Sequence, residues 1–249
     1  MLYKTLQPDT LLADFVKCYW WFENINPDPL DFTILPDGCF DLIVTLDNHQ
    51  QQNITLTGLW TKQVDVCINP GTQLFGIRFK LLAADHIIQQ SIANICDKDR
   101  LLKNNFWGID QQSFEDLDKV KEHLDKTMLA IVQQQEAPET RKLRLFKALY
   151  ATKGGQKVEY YSRQAFWVPR QINRYFTARF GLPLKAYCNI LRCHASYPHI
   201  KKGQLYPKQN YFDQSHFIKE LKKHTGSNPK DLFINKNDRF LQLTNISDS

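Results

Sequence analysis

The stretch Asp213-Gln214-Ser215-His216-Phe217-Ile218-Lys219-Glu220-Leu221-Lys222-Lys223-His224-Thr225-Gly226 decides how this chain is read. Asp213 suits a helix N-cap, where its carboxylate accepts from a free amide of the first turn. Gly226 suits the left-handed position that ends a helix. Phe217 and Leu221, four apart, form an inward stripe. Gln214, Ser215, Lys219, Lys222 and Lys223 lie away from it. A helix this short, apolar behind and polar or basic in front, is either a solvated surface helix or one shaped for a DNA major groove.

The same design occurs once more upstream. Residues 168–181 read Val-Pro-Arg-Gln-Ile-Asn-Arg-Tyr-Phe-Thr-Ala-Arg-Phe-Gly. Pro169 fits a first turn, where its missing N–H is unneeded, and Gly181 fits the closing position. Ile172, Phe176 and Phe180 repeat every four residues, while Arg170, Gln171 and Arg174 fall on another side. Each segment is followed by Gly and then Pro: Gly181-Leu182-Pro183 and Gly226-Ser227-Asn228-Pro229. Charge follows the same division. Residues 151–249 hold 17 basic and 6 acidic side chains, a net of +11, and residues 1–150 hold 15 and 20, a net of −5. Such a split points to a polyanion as the partner of the basic half.

Outward from there, the first hundred residues read as strands. A short helix is expected over 10–17, from Leu11/Phe15 and Leu12/Val16, then an aromatic strand over 18–22. Residues 32–35 and 39–46 flank the turn Pro36-Asp37-Gly38. Phe40, Leu42, Val44 and Leu46 alternate with Cys39, Asp41, Ile43 and Thr45, a strand period. Further strands are expected over 54–60, 64–68 and 74–80, with Asn69-Pro70-Gly71 between the last two. A helix starts at Ser113, with Asp116 three residues on, and carries Leu117, Val120, Leu124, Met128 and Ile131 as one stripe. That stripe is a dimer seam or a face packed on the strands. A second helix spans 139–150, with Leu143, Phe146 and Tyr150 on one side. The breaks at 133–138 and 153–157 give three parts: a β-rich part over 1–112, a helical linker or dimerisation segment over 113–152, and a helical part over 153–249. The fold class is therefore α+β, a small N-terminal β-barrel or sandwich with helices followed by an all-α domain.

Composition narrows the classes. With 249 residues, 43% hydrophobic and 23% charged, the chain fits a soluble globular protein of about two domains. Its first fifteen residues lack the apolar core of a secretory signal, and no apolar run reaches the length of a membrane span. Cys18, Cys39, Cys67, Cys96, Cys188 and Cys193 include no C-x-x-C pair, so reduced thiols in a cytoplasm are expected. Cys39 with His49 or His86 is a weak nucleophile–base candidate. Cys188, Cys193, His194 and His199 imitate a metal cluster along one helix, and Asp37 with Asp41 has little claim to acid–base work. No phosphate-loop, zinc-protease or nucleophile-elbow motif occurs. The expectation is a non-enzyme without cofactor or metal.

Several words of the sequence carry a family resemblance. They are Arg170-Gln171-Ile172-Asn173-Arg174-Tyr175-Phe176, Phe180-Gly181-Leu182-Pro183, Leu191-Arg192, and Tyr211-Phe212-Asp213-Gln214-Ser215-His216-Phe217 with Thr225-Gly226 and Pro229. On these, residues 158–232 resemble the double helix-turn-helix domain of AraC/XylS-type bacterial transcription regulators. Residues 1–150 are similar to a sensor-type domain of some such regulators, through Tyr19-Trp20, Leu35-Pro36-Asp37-Gly38-Cys39 and Gly76-Ile77-Arg78-Phe79.

The resemblance implies two helix-turn-helix units joined by a helix over roughly 184–201, each placing its second helix in a major groove of double-stranded DNA. By position, Arg170, Gln171 and Arg174 contact base edges or phosphates in the first unit, and Gln214, Ser215 and Lys219 in the second. Lys222 and Lys223 anchor phosphates. Trp20, Trp21, Phe40, Trp60 and Phe79 either line a pocket for a small effector or fill the core. A homodimer is a further expectation, and a membrane partner is not. The sequence departs from the family at Val168, where a Ser cap is usual, and at Phe166-Trp167, where the turn often has Gly. Pro198 threatens the joining helix, and the segment 205–210, with Pro207, replaces an Ala-rich helix. The competing class is a small-molecule-binding protein or enzyme whose regulator-like tail has lost DNA binding. The basic helix faces favour the regulator, and an isolated 151–249 piece is expected to bind DNA.

Overall fold

A computed structural model describes residues 2–47, 49–206, 211 and 213–235. Its contacts divide the chain into two compact units. The first contains Met1–Leu30, Cys39–Gly58 and Ile68–Pro138, and the second Asp31–Gly38, Leu59–Cys67 and Glu139–Ser249. The chain is α+β, with an antiparallel sheet in its first part and helices after it. The helical unit also includes two short stretches from the first seventy residues, so it is not wholly helical.

The first unit is built on six strands, β1 (Leu2–Leu6), β2 (Val16–Glu23), β4 (Phe40–Asp47), β5 (Gln50–Thr57), β7 (Thr72–Phe79) and β8 (Asp99–Leu101). They pair in the order β1-β2-β7-β4-β5-β8, an open sheet among the described residues, not a closed barrel. The register places Tyr19 and Trp21 beside Ile77 and Phe75, and Leu42 and Val44 beside the same two residues on the other flank. Those side chains share one face because side chains alternate along a strand. Phe40, Leu42, Val44 and Leu46 are buried as their alternation implies. Each contributes about 1.5–3 kcal/mol by leaving water.

Helix α2 (Leu117–Gln133) packs on that face. Val120, Leu124 and Met128 are fully buried within the chain. Of the two uses left open for this stripe, its central residues therefore serve the unit's own core. A buried carboxylate fixes the helix. Asp125 accepts from the Tyr19 hydroxyl at 2.6 Å and from Lys121 Nζ at 2.6 Å. Burial and that carboxylate hold the Tyr19 phenol far above its ordinary range, so it remains a donor.

Two local expectations need correction. Residues 10–17 are a single 3₁₀ turn, Thr10–Leu12, and then strand. Asp9 caps that turn, and Lys80 N–H donates to the Phe15 carbonyl, drawing the chain into the sheet. The cap of α2 is Asp116, whose carboxylate accepts from Lys119 N, so the helix starts after Leu117's neighbour and not at Ser113. The turn expected at Asn69-Pro70-Gly71 is formed, with the Thr72 N–H donating to the Asn69 carbonyl at 3.2 Å. Strands β3 (Leu30–Ile34) and β6 (Val64–Ile68) leave the large sheet and pair with each other. The Thr33 hydroxyl donates to Asp65 across this ribbon at 2.6 Å.

The second unit holds this ribbon with α3 (Thr140–Ala151), α4 (Val158–Ala165), α5 (Pro169–Phe180), α6 (Leu184–Lys201), α7 (Gln214–Thr225) and α8 (Pro229–Ile234), where α1 (Ala83–His86) and α2 belong to the first. Phe146 of α3 stacks among Tyr150, Tyr175, Phe176 and Phe180. A second cluster joins Leu35, Cys193, Tyr197, Ile200, Phe217, Leu221 and Leu232. Pro198 does not break α6, which runs on to Lys201. Pro207 and the rest of 207–210 lie outside the described residues.

Candidate nucleic-acid interface

Helix α5 spans Pro169–Phe180 with Pro169 at its start, and Gly181 closes it at φ +84°. Its N-cap is Val168, whose side chain offers no acceptor. Ile172, Phe176 and Phe180 are fully buried, and Arg170, Gln171 and Arg174 are exposed. Helix α7 repeats the arrangement. Asp213 accepts from His216 N at 2.7 Å, and Gly226 closes the helix at φ +66°. Phe217 and Leu221 are buried, while Gln214, Ser215, Lys219, Lys222 and Lys223 are exposed. All eight residues expected at a DNA surface thus present their side chains to solvent from two helices of one unit.

Each helix is held from behind by specific contacts. Asn173 accepts from Leu184 N at 3.1 Å, tying α5 to the start of α6. Asn189 of α6 donates to Glu220 of α7 at 2.8 Å. His224, on the buried side of α7, hydrogen-bonds the Thr61 carbonyl through Nδ1 at 2.6 Å. Burial lowers its pKa, outweighing the Thr61 carbonyl and Glu220, so the ring is held neutral. At Gly226 the left-handed backbone favours glycine, while the near neighbour of a β-carbon there, Gln63 Oε1 at 2.5 Å, is the end of a side chain that can move aside.

The turn before α5 contains contacts that the sequence reading missed. Phe166 adopts φ +50° and is 80% exposed. The Arg144 guanidinium lies 5.1 Å from its ring centroid, and that of Arg141 lies 4.5 Å from Trp167. Lys142 stands over Tyr175 at 5.0 Å. The available signal was the i,i+3 pair Arg141/Arg144 on a helix, opposite two aromatic residues at a turn.

The five aromatic candidates for an effector are not all in one place. Trp60 lies in the second unit and the other four in the first. Phe40 and Phe79 stack at 5.1 Å, both fully buried. Trp20 lies flat over Gly76, where a β-carbon would meet its ring at 1.9 Å. Its Nε1 donates to Asp41 at 2.8 Å, and Arg78 donates to the same carboxylate oxygen at 3.1 Å. Trp21 stacks on His49 at 6.1 Å.

The weaker chemistry is also placed. Cys39 precedes β4 and His49 follows it, so the strand's rise of about 3.3 Å per residue keeps them roughly 25 Å apart. His86 packs on Phe15. Cys188 and Cys193 are buried and their thiols pushed up to about 12 by that burial, which keeps them protonated and unreactive. Among the described residues no group of three or more His, Cys, Asp or Glu could hold a metal ion. No helix among them is long and apolar enough to cross a membrane.

Comparison with known proteins adds a match for the first part. Residues 4–100, under half of the chain, match the family described as Domain of unknown function (DUF6597). A search of curated proteins finds no match. Among solved structures the chain is similar to ToxT from Vibrio cholerae. In one ToxT structure at 1.65 Å resolution the identity is 9%, with 94% of this chain and 98% of that one covered and a TM-score of 0.44. In ToxT of strain SCE256 with an unsaturated fatty acid bound, the identity is 11%, each chain is covered to 93%, and the TM-score is 0.41. Identity and superposition are both too low to transfer function.

Proposed function

We propose that the chain is a DNA-binding transcription regulator of the AraC/XylS type, in which α5 and α7 read adjacent major grooves from one monomer. The observation that carries this reading is the paired design of the two helices. Each has an apolar back fully buried in one unit and an exposed front of Arg, Gln, Ser or Lys. Arg170, Gln171 and Arg174 have the donors that guanine O6/N7 and adenine N6/N7 accept in pairs. Lys222 and Lys223 suit phosphates, which position without specifying. The net charge of +11 over 151–249 supplies the long-range attraction.

The reading extends to a cytoplasmic protein whose first unit senses a small effector on Trp20, Trp21, Phe40 and Phe79, with Trp60 as an outlying member, and to pairing of two chains. Those four side chains are buried, so an effector there has to open the core. Footprinting with genomic fragments, with and without metabolite pools, tests regulator and effector together. A protected site of about two helical turns supports the two-groove reading, and binding without any sequence preference overturns it. Sedimentation at rising concentration tests pairing.

A further inference from the structure

We infer that α3 carries a binding site for the DNA sugar–phosphate backbone, formed by Arg144 and Arg141 stacked on the turn that leads into α5. The inference rests on the DNA-binding reading above and adds to it a helix outside both helix-turn-helix units.

The place of the two arginines follows from the packing of α3. Phe146 is set against Phe176 and Phe180 of α5, so the N-terminal half of α3 runs beside the turn at 166–167. Residues 166 and 167 come directly before Val168 and Pro169. In a helix-turn-helix the N-terminal residues of the second helix enter the groove, so the residues just before them stand at its lip, where the backbone runs.

Phe166 is the second observation. A bulky residue at φ +50° is disfavoured, and one that is 80% exposed gains little from burial. What its ring contacts is the Arg144 guanidinium. Stacking on a ring face restrains the guanidinium while its N–H groups, which lie in its plane, stay free for an anion. That fork matches two phosphate oxygens. Arg144 is exposed and has no ion-pair partner among the described residues. Arg141 is paired with Glu139 at 2.6 Å and is the lesser contributor. Lys147, one turn beyond Arg144 on α3, is also exposed and adds to the positive field.

The test uses the full chain and a mixed-sequence duplex of about 30 base pairs, with affinity measured against salt. Each lost phosphate contact reduces the log–log slope by about 0.9. Arg144→Ala should lose about one such contact on every sequence tried, with an unchanged unfolding midpoint, and Arg144→Lys should restore the slope. Lys4→Ala, which removes the same charge from exposed β1, should leave the slope as it was. Equal slopes in wild type and Arg144→Ala overturn this inference and leave the DNA-binding reading standing. Equal losses in Arg144→Ala and Lys4→Ala also overturn it, since net charge alone would then explain both. Failure of the wild-type chain to bind any duplex overturns the reading beneath it.

Discussion

The Tyr197 hydroxyl, deep in α6, donates to the carbonyl of Pro36 at 3.0 Å, although 161 residues separate them. Ten residues earlier on the same helix, Tyr187 donates to the Gly38 carbonyl at 2.9 Å. Leu35 between these anchors and the ribbon is part of the cluster that backs α7. The helical unit therefore contains a structural piece from the first forty residues.

Leu35→Ala should destabilise the second unit by about 2–5 kcal/mol through the cavity it leaves. Tyr197→Phe strands a buried carbonyl and should cost about 1–3 kcal/mol. Denaturant unfolding of the full chain measures both. The same contacts revise the expectation for an isolated 151–249 piece. It lacks Leu35, both carbonyls and Phe146, and it should bind DNA only weakly beside a chain that keeps 31–67. Equal affinity of the two would refute this.

Val168→Ser should stabilise the chain by about 1 kcal/mol. The Val168 side chain offers no acceptor to the first amides of α5, and a Ser hydroxyl supplies one. Val168 is exposed, so little packing is lost. A higher midpoint in urea is the expected result, and no change would show that the Gln171 amide, which already donates to the Val168 carbonyl at 2.9 Å, leaves the hydroxyl little to gain.

Acid should weaken the hold on α7 through His224. Burial lowers its folded pKa below the ordinary value of 6.5, against the raising effects of the Thr61 carbonyl and Glu220, with Lys223 and Arg192 lowering it further. The unfolded chain therefore binds the proton more readily. The stability contribution is complete above about pH 6.5 and is lost as pH falls below that through the folded pKa. His224→Gln should flatten this part of the stability–pH curve. An unchanged slope between pH 7 and pH 5 would assign the effect to other groups.

Arg174→Ala and Lys222→Ala should differ in kind. Both side chains are exposed, but Arg174 has a guanine-matching fork, and its loss should relax preference at one base pair by about 1–3 kcal/mol. Lys222→Ala should weaken all sequences alike. Selection from a randomised duplex pool separates the two, and indistinguishable sequence preferences in the variants would contradict the assignment.

Read by itself, the sequence determined the elements whose rules are local. Helices α5 and α7 fall where Pro169, Gly181, Asp213 and Gly226 place their ends, because caps and apolar stripes act within four residues along the chain. The solvent-facing sides of α5 and α7 follow from the same spacing. Only the tertiary structure decided what depended on distant partners. A strand's sequence shows that it will pair but not with which neighbour, so β3 and β6 could not be seen to leave the sheet for the helical unit. The stripe of α2 was equally ambiguous until the sheet face covered it. Arg144 gained its place from Phe166, twenty-two residues away, because only folding brings a helix against a turn.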